Sequence, residues 1–555
     1  MSSKYRVICT TILIEKSPQA LPSGAACVAS AIKNSPLTQN ECSVMLRPFC
    51  KEDEDFVKNS SSDDSAAEYI CGEILKAAEN TSNLIVAFSV YVWNRVILEK
   101  AAEILRKKRI WCIAGGPEIS AHPEVFTVFD FVICGEGEIS VPALIKKIVG
   151  GEVEKMDSGC QIIPSVPCDL TKLSSPYLDG TIKLSDYEGA LWELARGCPF
   201  KCSYCYESKG EKKVRYFPME RIETELKLFA KEKVPQVFVL DPTYNAGKQR
   251  AIDLINLIKK YTPDTFYYFE ARGEFIDREL AHAFTKITCA LQIGLQSADE
   301  NILKKVNRPF DKKKFVRNIG YLNQEGVTFG LDLIFGLPGE SLNSFKNGID
   351  FAISLYPNNL ELFCLSVLPG TDLFDRAEEL HLTYETEPPY HVIKTDAISR
   401  QELIQASDLA AACSFFYNEG RAVPWFNTVC HSLKIKPSFL FKLFSDYMKR
   451  EKKSYSCSSH KEIENIQLDF LTKLYKEKHQ ERLLKAALDI VRFNGALSRT
   501  LDTGKTEFLQ LSYNSEYLAS EYAADLNFFV QNVRVSPQKI RTFKTKNGPD
   551  WSAVK

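Results

Sequence analysis

Three cysteines stand close together in ARGCPFKCSYCYESKG, residues 195–210, as Cys198-x3-Cys202-x2-Cys205. Thiolates are soft donors that suit iron–sulfur clusters or zinc. A structural zinc site closes with four protein ligands. Here no second Cys-x2-Cys pair follows, and the nearest histidines, His122 and His282, are remote in sequence. Three thiolates can instead hold three irons of a [4Fe–4S] cube and leave the fourth iron open to a substrate or cofactor. Phe200, Tyr204 and Tyr206 would shield such a cluster from water. A zinc knuckle with a distant fourth ligand, or three unrelated buried thiols, are the competing readings at this point.

The elements around the cysteines are those of an α/β protein. In residues 1–150, apolar runs such as NLIVAFSVYV and IWCIAGG alternate with amphipathic stretches such as RVILEKAAEILRKKR. That rhythm predicts a doubly wound, Rossmann-like parallel sheet, whose ligands bind at the C-terminal strand ends. Residues 151–190 are rich in Pro, Ser and Asp and read as a linker. From Leu191 to about residue 388 the alternation resumes, with six strand candidates: LWELA, QVFVL, TFYYFEA, ALQIGL, VTFGLDLIF and LELFCLSVL. Six βα units are too few to close an eight-stranded barrel, so a partial (β/α)6 barrel is predicted, with its chemistry at the C-terminal strand ends. Residues 389–555 read as mainly helical, with RTFKTKNGPDWSAVK as a frayed or extended tail.

Bulk properties narrow the class. A chain of 555 residues exceeds one ordinary core. Its net charge of −1 offers no broad field for nucleic acid or an anionic membrane. No apolar run reaches the ~18 residues of a spanning helix. The N-terminal MSSKYRVICTTILIEKS lacks a secretory pattern, so a cytoplasmic protein is expected and most of its 17 cysteines are read as free thiols.

The cysteine spacing after the first strand of a six-unit domain resembles the radical S-adenosylmethionine (radical SAM) superfamily. The resemblance implies a [4Fe–4S] cluster on Cys198, Cys202 and Cys205, with S-adenosylmethionine on the open iron. Further segments agree in order. GLDLIFGLPGE, residues 330–340, resembles the glycine-rich fifth-strand motif and places Gly336 near the adenine. DPTYN places Asp241 and Thr243 at the second strand end, although it departs from the commoner Gly-Gly-Glu version. FEARGE places Glu270 at the third, IGLQSAD places Gln296 and Ser297 at the fourth, and VLPGTDL places Leu368 and Thr371 at the sixth.

Residues 1–150 resemble the cobalamin-binding domain of the B12-binding branch of that family. FSVYVWN carries Ser89 and Tyr91, IAGGPE carries Gly115 and Gly116, and CGEGE carries Gly135, Glu136 and Gly137. The Asp-x-His-x-x-Gly motif that ligates cobalt in many B12 domains is missing: His122 has neither the aspartate before it nor the glycine after it. PPYHVIKTDAIS, residues 388–399, resembles a junction in one uncharacterised branch of the family, with Tyr390, His391 and Asp396 expected near the barrel mouth.

Together these resemblances imply an anaerobic enzyme with three cofactors, a [4Fe–4S] cluster, S-adenosylmethionine and cobalamin, that methylates an unreactive carbon. Its expected partners are a small-molecule or peptide substrate and an electron donor such as flavodoxin or ferredoxin. Neither a membrane nor a nucleic-acid partner is expected. The rivals are a radical rearrangement or oxidation without methyl transfer, a methylthiotransferase acting on transfer RNA, and a non-enzymatic cobalamin or redox sensor. The methylthiotransferase would need three more clustered cysteines in the first domain, where Cys9, Cys27, Cys42 and the others are scattered.

Overall fold

The computed structural model describes residues 5–79, 83–156, 158–208, 213–457, 459–546 and 548–554. Lys4 and Asn80 at the ends of predicted elements, Lys209 and Gly210 of the cysteine stretch, and Asn547 and Lys555 of the tail lie outside them. The chain divides into two compact units, 1–291 with 306–308 and 366–392, and 292–305 with 309–365 and 393–555.

In the first unit, a parallel sheet is built from β1 (Tyr5–Thr10), β2 (Cys42–Leu46), β3 (Leu84–Ser89), β4 (Trp111–Gly115), β5 (Phe131–Cys134) and β6 (Gln161–Pro164), in the order β2-β1-β3-β4-β5-β6. Every residue of β3 is buried, as a strand covered on both faces requires. Successive side chains feed opposite layers. Val7 and Ile85 pack against helices Ser23–Asn34 and Gly137–Gly150. Ile8 and Val86 pack against helices Asp63–Ala77 and Arg95–Lys107. Each such side chain contributes roughly 1.5–3 kcal/mol by leaving water. β6 comes from the stretch that reads as a linker. It is a short, mostly exposed edge strand ending in proline, so it carries no burial pattern. Farther along that stretch, Asp179 accepts hydrogen bonds from Ser30 and Asn34, both at 2.6 Å, and so ties the connector to the first helix.

The second set of strands follows in chain order: β7 (Ala190–Trp192), β8 (Gln236–Val239) and β9 (Phe266–Ala271) pair in parallel, then come β10 (Cys289–Gln296) and the parallel pair β11 (Thr328–Phe335) and β12 (Asn359–Cys364). The first three strands belong to the first unit, β11 and β12 to the second, and β10 passes from one to the other.

The second unit continues as helices, among them Arg400–Cys413, Pro437–Arg450, His460–Glu477 and Glu481–Thr503. The π-helical turn Ser414–Glu419 directs Asn418 at the edge strand β12. The Asn418 side chain accepts the Leu360 N–H at 2.9 Å and donates to the Leu360 carbonyl at 3.0 Å, standing in for a neighbouring strand. Gln467 serves carbonyls around the wide turn, donating to Phe416 at 2.8 Å and Gly420 at 3.0 Å.

The tail is not frayed. β13 (Glu507–Leu511), β14 (Gln538–Thr545) and β15 (Gly548–Ala553) form an antiparallel sheet. Ile540 and Thr542 point inward while Lys539 and Arg541 face water. Trp551 packs edge-on against Phe493. The dense lysines and arginines hide this alternation in the sequence. No helix among the described residues is long and apolar enough to cross a membrane.

Replacing Asn418 by Ala leaves both backbone groups of Leu360 without this partner. We expect a loss of about 1–3 kcal/mol of stability, with faster amide hydrogen exchange at Leu360. Unchanged exchange there would show that the amide does not seal the edge.

Candidate functional site

The cysteine loop begins where β7 ends. Asp241, at the end of β8, accepts the backbone N–H groups of Leu194 and Ala195, both at 2.9 Å, and fixes the chain as it leaves the strand. Ala195–Arg196 then pairs antiparallel with Arg215–Tyr216 and closes the loop at its base. Gly197, at φ +87°, makes the turn into the first cysteine. Cys202 is buried, Cys198 and Cys205 are half-buried, and none of the three is in a disulfide. Neighbouring segments hold the loop by its backbone. The Ser203 N–H donates to the Val306 carbonyl at 3.0 Å, and the Ser203 carbonyl accepts from Leu373 at 2.8 Å. Phe200 packs on Phe275 at 5.6 Å, with the Arg272 guanidinium 3.9 Å above its ring.

The donor set fits a cluster better than a closed single-ion site, because it is three thiolates within eight residues, with no further cysteine or histidine beside them in the sequence to complete a four-ligand zinc. Burial pushes the Cys205 thiol up to about 11 and raises Cys198 as well, with the Thr243 hydroxyl opposing the rise at Cys198. A bound metal cluster would displace those protons.

Around this loop the first unit places Asp241, Thr243, Glu270, Leu368 and Thr371. Asp241 is buried and already occupied by backbone, and burial raises its carboxyl to about 7. Glu270 lies on the exposed face of β9. Thr371 is buried, caps helix Asp372–Asp375 through the Phe374 N–H and donates to the Leu368 carbonyl at 2.7 Å. Its side chain is therefore engaged in holding the loop.

In the second unit, Gln296, Ser297 and Gly336 gather at the ends of β10 and β11. Gln296 adopts φ +69°, and its Oε1 is buried without a partner. Ser297 donates to Glu340 at 3.3 Å. Glu340 is buried, its carboxyl is pushed up to about 8 by burial, and its Oε2 has no hydrogen-bond partner. A buried polar atom left unpaired costs about 1–3 kcal/mol, so both atoms mark places where a ligand can complete the bonding. Glu340 is the residue that reading the sequence passed over, although it closes the quoted GLPGE segment.

At the first sheet's C-terminal edge, a Cβ on Gly116, at φ +113°, would lie 2.5 Å from the Val90 carbonyl, so only glycine fits. Gly115 accepts the Val90 N–H at 2.8 Å. Gly135 donates to the Ser120 hydroxyl at 2.9 Å, and Gly137 opens the helix that packs beside Val28. Tyr91 stacks on Trp93 at 4.6 Å, and its hydroxyl lies against Gly24, with Ser89 beside it.

Glu136 has a more definite task. Its carboxylate pairs with Arg215, lies 3.3 Å from Arg196, and accepts the Cys168 N–H at 2.6 Å. Burial opposes its ionisation, but the Arg215 hydrogen bond and the other partners hold its carboxyl below the usual range. Glu138 pairs with Arg196 at 2.6 Å. Arg196 and Arg215 are the two residues paired across the base of the cysteine loop. The first sheet therefore grips that loop directly. Gly370 supports the same contact, since a Cβ there would lie 3.0 Å from Ala121 and 3.2 Å from Tyr206.

Residues 192–352 match the family described as the Radical SAM superfamily, and residues 378–548 match one described as Protein of unknown function (DUF4080). The 2-(S-pantetheinyl)-carbapenam-3-carboxylate methyltransferase of Streptantibioticus cattleyicolor is 25% identical, over 62% of this chain and 58% of that protein. The cobalamin-dependent radical SAM methyltransferase TokK of Streptomyces tokunonensis is 24% identical, over 60% of this chain and 57% of its own. The chain thus spans less than two thirds of the length of these relatives. Among solved structures, the cobalamin-dependent S-adenosylmethionine radical enzyme OxsB with aqua-cobalamin bound aligns over 95% of this chain and 83% of its own, with a TM-score of 0.57 and 14% identity. The radical S-adenosylmethionine methyltransferase TsrM of Kitasatospora setae, with cobalamin and a [4Fe-4S] cluster bound, aligns over 71% and 79%, with a TM-score of 0.52 and 14% identity. At such identities these two likenesses speak to fold; with the cysteine loop and the family match they show a radical SAM domain over residues 192–352, in a chain whose fold is similar to that of cobalamin-dependent radical SAM enzymes.

Proposed function

We propose that this chain is a radical enzyme that binds a [4Fe–4S] cluster through Cys198, Cys202 and Cys205, S-adenosylmethionine at the open iron, and cobalamin along the strand ends of the first sheet. Its proposed reaction is methylation of an unreactive carbon of a small molecule or peptide, fed by an electron donor of the flavodoxin or ferredoxin type. One observation carries the two-cofactor reading. The strand ends of the first sheet meet the cysteine loop within a single unit, through Glu136 on Arg196 and Arg215 and through Ala121 beside Gly370.

When bound, the cluster and S-adenosylmethionine would supply a 5′-deoxyadenosyl radical, and cobalamin would supply the methyl group. The protein's own part is to orient and exclude water. Phe200 and Phe275, with Arg272 above, wall one side of the loop. Asp241 and the Arg196–Arg215 pair hold its two ends. In the second unit, Gln296 Oε1 and Glu340 Oε2 offer unfilled hydrogen-bonding capacity to a ligand.

A second reading is radical rearrangement or oxidation without methyl transfer. It is motivated by Tyr91, whose hydroxyl packs against Gly24 near Ser89, the serine that the resemblance assigns to the cobalamin tail.

The test is anaerobic incubation of the reconstituted chain with dithionite and methyl-labelled S-adenosylmethionine. Formation of 5′-deoxyadenosine and methionine, abolished in Cys202→Ala, is expected, together with label on added cobalamin. Products without labelled cobalamin would favour the second reading. No cleavage of S-adenosylmethionine would contradict both.

A further inference from the structure

The segment Val306–Arg308 lies along the cysteine loop as a short strap. Each of its residues touches the loop. The Val306 carbonyl accepts the Ser203 N–H at 3.0 Å. Asn307, at φ +53°, donates from its side chain to the Ser203 hydroxyl at 3.0 Å. Arg308 is only 6% exposed. Its Nη1 lies 3.8 Å from Cys202 Sγ and 3.4 Å from the Tyr204 hydroxyl. A guanidinium is always charged and weakly hydrated, so it carries a full positive charge into this buried place. Cys202 is also the most deeply buried of the three thiols. Glu274 stands within electrostatic reach of Arg308 and is hydrogen-bonded to Arg272 at 3.0 Å. It therefore opposes the charge that Arg308 presents.

We propose that Arg308 is a positioning residue that sets the reduction potential of the cluster through Cys202. The inference rests on the reading that the three cysteines hold a [4Fe–4S] cluster. Reduction takes one electron from a low-potential donor and places one further negative charge on the cluster. A fixed positive charge against a ligating sulfur favours that more negative state, and burial keeps solvent from screening it. Arg308 thus raises the potential toward the range a biological donor reaches, and Glu274 trims the effect. A residue that merely packed the loop would change how much iron is retained, whereas a charge effect changes the potential with a predictable sign.

The test is an anaerobic redox titration of the reconstituted full chain, followed by electron paramagnetic resonance of the reduced cluster. Arg308→Gln is expected to lower the reduced fraction at a fixed poise by about tenfold, equivalent to about 59 mV for one electron. Arg308→Lys, which keeps the charge, is expected to stay close to wild type. Glu274→Gln is expected to shift the potential upward, opposite in sign to Arg308→Gln. If Arg308→Gln fails to take up iron, Glu274→Gln and Arg308→Lys carry the test. An unshifted potential in Glu274→Gln, or variants of Arg308 and Glu274 that both move downward as a loosened loop would, overturns the inference. Wild-type chain that takes up no iron overturns the cluster reading, and this inference with it.

Discussion

The ion pairs of Glu136 with Arg196 and Arg215 are the constraint on which the site depends. They join a loop after β5 of the first sheet to the base of the cysteine loop. Glu136, Arg196 and Arg215 are all largely withdrawn from water, at 21%, 14% and 20% side-chain exposure. Removing one partner from such a group leaves a charge that water does not fully restore, which is why breaking a buried pair costs far more than an exposed one. The same carboxylate also receives the Cys168 N–H, so the connector between the sheets is gathered into the network. Glu138 on Arg196 adds a second attachment one helical step away.

This arrangement follows from the geometry of parallel sheets. Each sheet presents its loops at the C-terminal ends of its strands. In the first sheet those ends carry Gly115, Gly116, Gly135 and Gly137, where backbone can come close to a neighbour. In the second, the first strand end carries the cysteines. Holding the two sets of loops together demands opposite charges on them, and acids after β5 with arginines beside the cysteines meet that demand. The segment 366–371 contributes through Gly370, whose missing side chain admits Ala121 and Tyr206. Small residues and paired charges therefore do different work at one junction: the first permit approach and the second fix register.

Much of this was legible in the sequence, because it rests on local pattern. A fully buried strand such as β3 must be apolar throughout, and the cysteine spacing is short enough to be seen in one stretch. The doubly wound first sheet and the six strands of the second were readable for the same reason. What escaped depends on distant partners. Glu136 stands out in the sequence as part of a glycine-rich strand end, but its pairing with Arg215, 79 residues away, does not. Nothing local to Asp241 announces that its carboxylate caps the backbone of Leu194 and Ala195. β6 is a mostly exposed edge, and β14 carries Lys539 and Arg541 on its outer face. Glu340 and Arg308 are charged residues whose burial comes only from packing, so their types alone point to the surface.

The central claim is that one unit brings a cobalamin-type sheet edge to a three-cysteine cluster loop. It is tested most directly by counting metals. The chain would be reconstituted anaerobically with iron, sulfide and hydroxocobalamin, desalted, and its iron and cobalt quantified per chain. The account predicts about four irons and one equivalent of cobalt, with the iron lost in a Cys198→Ala, Cys202→Ala, Cys205→Ala triple variant. Iron without cobalt would contradict the two-cofactor reading, and zinc in place of iron would contradict the cluster itself.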